Sequence, residues 1–415
     1  MRRPSPPKLL KKIAMLMPCV RSAAFVRQAS VSAVPLARRV HVHYNRGPTT
    51  MRARSSELPL FYNDVYRVDL PEGHRFPMEK YRLVREGLQS AIKNASFAKS
   101  PVATMEDLCT THERRYVQRY FDGLFTDREN RTVGFPWSEA SVKRSLSSVG
   151  GTVGAMHAVC AGGELRDRLA GPVGPPPPLI SGHIAGGTHH AFYSRGEGFC
   201  VFSDIAVAAN VALRDFPETV RQVLVVDCDV HQGNGNAVLF GSKPAVFTFS
   251  IHCKANYFSE KEGSDVDVEV DEGAGDEEYL ALLSQRLPTL VDQVRPDLIF
   301  YQGGVDPLEH DRLGRLNLTR EGLRLRNRLV YNTALERGIP TVITMGGGYP
   351  TDLNPHSESF GHIVRSHRDV YEDAADSLQA WFSSGGGGGS VESGGVRGST
   401  DAPEVPAAGE VARRW

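Results

Sequence analysis

Residues 223–235, VLVVDCDVHQGNG, combine an uninterrupted apolar run with the polar residues and glycines that directly follow it. An apolar, β-branched run of this length indicates a strand buried on both faces, as in a parallel sheet. Side chains two positions apart project to the same side of an extended chain, so Asp227, Asp229 and His231 share one side. Open α/β sheets bind ligands at the carboxyl ends of their strands. Carboxylates and an imidazole at that end indicate a divalent metal such as zinc.

The rest of the chain repeats one pattern, in which a short apolar run is followed by a glycine-rich turn and a helical stretch. Strands are expected at 60–62, 179–180, 223–226, 245–251, 298–301 and 341–344. Helices are expected at 78–92 with Pro77 at the first position, 111–125, 141–160, 276–294 and 319–337. In the last helix, Thr319 is the expected N-cap and Gly338 and Pro340 end it. Alternating strands and helices predict an α/β fold with a mainly parallel sheet covered on both faces.

Glycines interrupt the third expected helix at positions 150, 151 and 154. Each costs a helix about 1 kcal/mol relative to alanine, so they predict that another element packs closely there. Residues 171–178, GPVGPPPP, follow that helix and are expected to form an extended surface loop within one domain.

Composition divides the chain into three parts. Residues 1–56 contain 12 Arg and Lys residues and no acidic residue. This is typical of a transit peptide for the mitochondrion or the plastid, and the alternative is a disordered basic leader of a nuclear or cytoplasmic protein. Residues 57–383 are expected to form the domain that carries the chemistry. Residues 384–415 are rich in Gly, Ser and Ala and are expected to be a disordered tail.

The formal net charge is zero, so the basic leader leaves the folded body acidic. An acidic body mildly favours a basic substrate such as a lysine-rich segment over nucleic acid, although many enzymes are acidic without such a substrate. Six scattered cysteines without a C-x-x-C pair argue against a zinc finger or a disulfide framework and suit a reducing compartment. No run approaches the roughly 20 apolar residues that span a bilayer.

Four expected strand ends carry polar residues beside glycines. They are GGTHH at 186–190, DCDVH at 227–231, GGVD at 303–306 and GGGY at 346–349. Each has an ordinary structural explanation on its own, such as a helix cap at an aspartate. Their joint occurrence at one edge of one sheet predicts a single functional site.

In this order the motifs resemble the zinc-dependent histone deacetylase superfamily, and within it the class IV enzymes and their bacterial relatives. The resemblance includes HRFPM at 74–78, Arg144 with VGGT at 149–152, GEGFCVFSD at 196–204 and YQGGVDPLEHDRLG at 301–314, and covers about residues 58–381. It implies an arginase/deacetylase-like three-layer fold with a mainly parallel sheet of about eight strands. It also implies a deacetylase catalytic domain that hydrolyses N6-acyl-lysine in histones or other proteins.

The resemblance assigns metal sites to this sequence. The positions that correspond to the zinc ligands are Asp229, His231 and Asp306. Two carboxylates and one neutral imidazole offset the charge of the ion and leave positions open for water and a carbonyl. A buried monovalent cation, usually potassium, is implied near Asp227, Asp229, His231 and Ser250.

The resemblance also assigns catalytic roles. His190 corresponds to the base that takes a proton from water and later protonates the leaving amine, and its neighbour His189 pairs with Asp227. Tyr349 corresponds to the phenol that donates to the oxyanion. Asn234 departs from the aspartate found in many family members and agrees with class IV. A neutral amide should leave the pKa of His190 lower than a carboxylate would.

A narrow acyl tunnel is implied as well. Gly198 and Phe199 correspond to one wall, and Phe258 to the opposite wall, with Tyr257 as the alternative register. For Phe199 alone, ordinary core packing is an equal alternative. The class IV resemblance leaves open a long fatty acyl chain in place of acetyl. Two other functions also stay open, namely hydrolysis of acetylpolyamines or similar small amides, and an inactive scaffold that binds acyl-lysine. The oligomeric state is left undetermined.

Overall fold

The computed structural model describes residues 57–169, 180–256 and 260–384, with only the backbone described at 161–169. The leader at 1–56, the GPVGPPPP segment, Tyr257, Phe258 and the tail beyond Ser384 lie outside these residues. No helix in the described ranges has both the length and the hydrophobicity required to cross a bilayer.

Eight strands form one sheet in which every neighbouring pair is parallel. They are β1 (Leu58–Tyr62), β2 (Ala95–Lys99), β3 (Ile180–Ile184), β4 (Val223–Asp227), β5 (Val246–Cys253), β6 (Val266–Val270), β7 (Leu298–Gln302) and β8 (Thr341–Thr344). Their spatial order is β2-β1-β3-β8-β7-β4-β5-β6. The expected parallel α/β sheet of about eight strands is confirmed.

Helices cover both faces of the sheet. In the described part of the chain they are α1 (Lys80–Ala91), α2 (Met105–Leu108), α3 (Arg114–Phe121), α4 (Asp127–Val133), α5 (Glu139–Leu169), α6 (Asp204–Asp215), α7 (Asn234–Phe240), α8 (Asp276–Val294), α9 (Arg320–Glu336) and α10 (Glu358–Ser383). Alternate residues of β4 pack on opposite faces of the sheet. Val223 and Val225 pack in one apolar cluster with α5 and α6, and Leu224 and Val226 pack in another with α8, α9 and α10. The result is the expected three-layer arrangement.

Several expected helices have different bounds in the structure, and α5, expected at 141–160, extends from Glu139 to Leu169. The prediction that Pro77 occupies the first helical position was wrong, because a turn closed by the Lys80 N–H and the Pro77 carbonyl precedes α1. The helix expected at 111–125 is shorter, since α3 begins only at Arg114. The His112 N–H instead bonds to the Leu108 carbonyl at 2.8 Å, in the turn that follows α2.

The glycines of α5 mark a close approach, as expected. A Cβ on Gly150 would lie 2.2 Å from the Pro101 carbonyl oxygen, and one on Gly151 would lie 2.2 Å from His183 Nε2 of β3. Only glycine lets α5 lie this close to the sheet.

Helix α9 begins and terminates as the sequence indicates. The Thr319 hydroxyl accepts a hydrogen bond from the Gly322 N–H at 3.0 Å, which makes Thr319 the N-cap. Gly338 follows the helix with a φ of 65°, in the left-handed region that suits glycine.

Candidate metal centre and catalytic site

The four polar motifs follow β3, β4, β7 and β8, which are adjacent strands at the centre of the sheet. Because all strands run parallel, their carboxyl ends meet at one edge and bring the motifs together. The residues that were predicted to share a site do lie at this edge, although up to 160 positions separate them along the chain.

Asp229, His231 and Asp306 form a compact cluster that could hold a metal ion. One candidate ligand atom from each lies within 4.8 Å of the others. His231 Nδ1 lies 3.1 Å from Asp229 Oδ1 and 3.1 Å from Asp306 Oδ2. Both carboxylates are buried. Two oxygens and one imidazole nitrogen are a donor set that suits zinc.

The charges of this cluster agree with a cation site. Burial and the neighbouring Asp229 raise the pKa of Asp306 to about 6. Burial opposes the charged form of His231, but Asp229 and Asp306 outweigh it and raise the pKa of His231 to about 10. A proton on His231 Nδ1 therefore lies between two carboxylates. A divalent cation in its place would offset the negative charge of the carboxylates. The residues present fit a metal ion.

Glycine loops enclose the cluster tightly. The Gly347 N–H donates to Asp229 Oδ2 at 2.8 Å, and the Val230 N–H donates to Asp306 Oδ1 at 2.8 Å. A Cβ on Gly347 would lie 2.0 Å from Asp306 Oδ2 and 2.9 Å from Asp229 Oδ2. The backbone therefore fixes both carboxylates and leaves no room for a side chain.

Gly347→Ala is expected to weaken zinc binding by about 10- to 100-fold, because the new methyl group displaces two candidate ligands. Competition against a chromophoric chelator measures the affinity. Gly263→Ala is the matched control, since a Cβ there meets nothing within 4 Å. Equal zinc affinity in both variants would contradict the assignment of Asp229 and Asp306 as ligands.

His189 and His190 lie side by side with ring centroids 3.9 Å apart. His189 Nδ1 lies 2.7 Å from Asp227 Oδ2, as predicted for the neighbour of the base. Burial disfavours a charge on His189, but Asp227 and Asp229 outweigh it and raise its pKa to about 9. His189 is therefore the charged member of the pair, held in place by a buried carboxylate.

His190 is the neutral member of the pair. Burial, followed by the charges of His189 and His231, lowers its pKa well below the ordinary value. The main cause is burial, and the bond to Asn234 acts in the opposite sense, so the predicted difference between an amide and a carboxylate at position 234 stays a prediction. A neutral imidazole has one nitrogen that can accept a proton, which a general base requires.

Tyr349 is held through its backbone by two groups that had no role in the sequence prediction. The ammonium group of Lys80 donates to the Gly348 carbonyl at 3.1 Å, and Asp311 Oδ2 accepts from the Tyr349 N–H at 2.6 Å. Both bonds act on the one peptide unit that joins Gly348 to Tyr349. Lys80 is only 1% exposed, and burial lowers its pKa to about 8. This peptide clamp fixes the direction in which the phenol leaves the backbone.

Lys80→Met is expected to lower kcat by about 10- to 100-fold, because loss of one half of the clamp lets the phenol move by a fraction of an ångström. Zinc content and KM should change little. Steady-state kinetics with metal analysis check this. Lys93→Met, at an exposed position of the same charge, is the control. Unchanged kcat in Lys80→Met would show that the clamp has no part in catalysis.

One cavity connects the metal cluster, the histidine pair and Tyr349. Gly198 and Phe199 line it as predicted, and aromatic neighbours surround Phe199, with ring centroids 5.0 Å away at Phe76 and 5.4 Å away at Phe135. Phe199 has a φ of 67°, which is unusual for a residue with a side chain. Its N–H bonds to the Val133 carbonyl at 2.7 Å and helps to hold this conformation.

Arg144 of α5 also lines the cavity. The guanidinium of Arg144 lies 4.4 Å from the centroid of the Tyr81 ring. None of the described residues offers a hydrogen-bond partner to its buried Nη1. Arg144 had no predicted role, and the structure places its cationic side chain in the lining of the cavity.

Three predicted positions, Asp306, Asp227 and Ser250, are not among the residues that line the cavity. Asp227 contacts the site through His189 and through the Asp229 N–H, which donates to Asp227 Oδ1 at 3.1 Å. Ser250 lies beside Asp227 in the register of β4 and β5. The Ser250 hydroxyl lies 2.9 Å from His252 Nδ1. The buried potassium site near these residues stays a prediction.

Comparison with known proteins agrees with this geometry. Residues 74–365 match the family model of the histone deacetylase domain. The chain is 39% identical over 315 residues to an uncharacterized protein from Picosynechococcus sp., in a match that covers 75% of this chain and 99% of that protein. It is 33% identical over 170 residues to histone deacetylase 2 from Arabidopsis thaliana, covering 40% of this chain and 43% of the relative. It is 27% identical over 304 residues to a probable deacetylase from Methanothermobacter thermautotrophicus, covering 70% and 85%.

The fold, the site and these relatives define the class of protein as a hydrolase of the deacetylase kind. More particularly, the chain belongs to the histone deacetylase family. Family membership leaves the substrate and the metal of this protein to be inferred from its own site.

Proposed function

We propose that this protein is a zinc-dependent lysine deacylase of the class IV type, which hydrolyses the amide bond of N6-acyl-lysine in proteins. The observation that carries the proposal is the presence, at one cavity, of a candidate metal centre, a neutral histidine and a half-buried phenol. Asn234 beside His190 supports the class IV assignment.

Each of these residues can take a separate role in amide hydrolysis. Zinc held by Asp229, His231 and Asp306 would polarise the substrate carbonyl and acidify a water molecule. His190 then takes the proton of the attacking water and passes it to the nitrogen of the departing lysine. Tyr349 donates its hydroxyl hydrogen to the carbonyl oxygen as negative charge develops there. Charged His189 adds electrostatic stabilisation beside the same carbonyl.

The ionisation states support these roles. Burial raises the pKa of Tyr349 well above its ordinary value, so the phenol keeps its proton at neutral pH and remains a donor. His190 is neutral and remains an acceptor, because its pKa is lowered. A donor and an acceptor in one enclosed site are the arrangement that acid–base catalysis requires.

The walls support an acyl-lysine substrate. Phe76, Phe135 and Phe199 form an aromatic group around the cavity, with Tyr349 6.0 Å from Phe199 between ring centroids. Such walls suit the methylene arm of an acylated lysine, which carries no charge. Arg144 in the cavity lining suits the carboxylate released by hydrolysis.

A panel of lysine peptides that carry acetyl, butyryl, octanoyl and myristoyl groups tests the proposal. Residues 57–415 with added zinc should release lysine from at least one peptide, and a chelator should abolish the release. Acetylspermidine and acetylputrescine are measured in parallel. Turnover of the polyamines alone would favour a small-molecule amidohydrolase. Tight peptide binding without turnover of any substrate would favour an inactive scaffold.

A further inference from the structure

A third side chain stands behind the catalytic histidine. His190 Nδ1 lies 2.8 Å from Asn234 Oδ1, and Asn234 Nδ2 donates to Glu197 Oε1 at 2.9 Å. Glu197 is only 5% exposed, and Asn234 is fully buried. The three residues form a continuous hydrogen-bonded line that ends in a carboxylate.

The neighbours of Asn234 determine which way its amide faces. The Gly235 N–H can only donate, and it lies 2.9 Å from Asn234 Oδ1. The carboxylate of Glu197 accepts, so it requires the NH₂ group of Asn234 on its side. With both ends determined, the amide oxygen faces His190.

The amide direction in turn decides the tautomer of His190. An amide oxygen only accepts, so the neutral imidazole must carry its hydrogen on Nδ1. The lone pair is then on Nε2, the nitrogen that has to take a proton from water. If the amide of Asn234 turned over, its NH₂ group would favour the other tautomer, in which Nε2 already carries a hydrogen.

We propose that Glu197 is a positioning residue that acts through Asn234 to keep His190 in its Nδ1–H tautomer. The inference rests on the proposed function, because it gives His190 the role of the base. Glu197 directly precedes Gly198 and Phe199 in the cavity wall, and its carbonyl accepts the Cys200 N–H at 2.9 Å. Arg195 Nε lies 3.8 Å from Glu197 Oε2 at a largely exposed position.

Exchanging the carboxylate of Glu197 with the amide of Asn234 tests this hydrogen-bonded relay from Glu197 through Asn234 to His190. Asn234→Asp alone sets a second carboxylate against Glu197, and the two groups repel or share a proton. Glu197→Gln alone leaves an amide oxygen that can still accept from Asn234. The double variant Glu197→Gln/Asn234→Asp restores one amide and one carboxylate in exchanged positions, so His190 Nδ1 again faces an acceptor. All three variants keep the size of both side chains.

We expect Asn234→Asp to lower kcat by at least about 10-fold, with a smaller change in KM, because the base contributes about 100- to 10,000-fold in such reactions. Glu197→Gln should lose no more than about threefold, and the double variant should return to within about threefold of the parent protein. Glu218→Gln, an exposed position with the same change of charge, is the control. A double variant no more active than Asn234→Asp would overturn the relay.

A readout without turnover separates this inference from the proposed function. The ¹⁵N shifts of the imidazole of His190, measured in the zinc-loaded protein, report which nitrogen carries the hydrogen. The parent protein should show the Nδ1–H tautomer, and Glu197→Leu should show a mixture or the Nε2–H form. An unchanged Nδ1–H tautomer in folded Glu197→Leu would refute the role of Glu197, even if no acyl-lysine substrate is turned over. The Nδ1–H tautomer and its loss would support the relay even if the proposed activity failed.

Discussion

Tyr349→Phe is expected to lower kcat by about 100- to 1,000-fold, because it removes the hydroxyl group that donates a hydrogen bond to the developing oxyanion. Only a hydroxyl group is lost, so the ring keeps its place beside Phe199, 6.0 Å away between centroids. Zinc affinity, KM and melting temperature should stay close to those of the parent protein. Steady-state kinetics on the best peptide of the acyl panel, with metal analysis of each preparation, measure the effect.

The control for this variant is Tyr193→Phe, which makes the same change at a side chain that is 57% exposed. It should retain the full kcat. If Tyr349→Phe proved as active as Tyr193→Phe, the phenol would have no part in stabilising the oxyanion, and another donor would have to be sought.

Removal of the metal is expected to reduce turnover by at least about 1,000-fold, which corresponds to the several kcal/mol of charge stabilisation that a bound metal supplies. Dialysis against a chelator should abolish activity, and one equivalent of zinc should restore it. Asp306→Asn should reproduce the loss, because it replaces one of the two carboxylates that face His231. Full activity after exhaustive chelation, confirmed by metal analysis, would exclude a zinc-dependent reaction.

The pH dependence of zinc binding follows from the same cluster. Without a cation, Asp229 and Asp306 raise the pKa of His231 to about 10, so the imidazole is protonated at neutral pH. Binding must displace that proton, and the affinity should therefore rise about tenfold per pH unit between pH 6.5 and 8.5. Calorimetric titrations in buffers of different ionisation enthalpy count the released protons. An affinity that does not change over this range would contradict the raised pKa.

The centre of the fold could be read from the sequence because its strands are buried on both faces. The runs 223–226 and 298–301 are almost entirely apolar, 341–344 (TVIT) is rich in β-branched residues, and each lies within a strand of the structure. Strands β2 and β6 were missed. They are the two edges of the sheet, and their residues are largely half-buried or exposed, as in ASFAK at 95–99 and VDVEV at 266–270. A half-covered edge strand carries no continuous apolar run.

The site residues that could be predicted are polar residues beside glycines, directly after strands whose apolar runs mark them as buried. The supporting groups of the site were not predictable in this way. Lys80 reaches the Gly348 carbonyl across 268 positions of the chain, and Glu197 reaches Asn234 across 37. Nothing in the local sequence distinguishes these two residues from solvated surface charges, because only the tertiary packing buries them.

The arrangement of the motifs on four adjacent strands has a consequence for the protein during its synthesis. The Gly347 N–H that holds Asp229 and the phenol of Tyr349 both come from the segment after β8, which is the last of the described strands to leave the ribosome. A nascent chain, or a fragment cut before residue 341, would contain all three candidate ligands but neither of these groups. The proposed amide hydrolysis therefore has to wait until β8 has been inserted between β3, which is made much earlier, and β7, which directly precedes it in the chain.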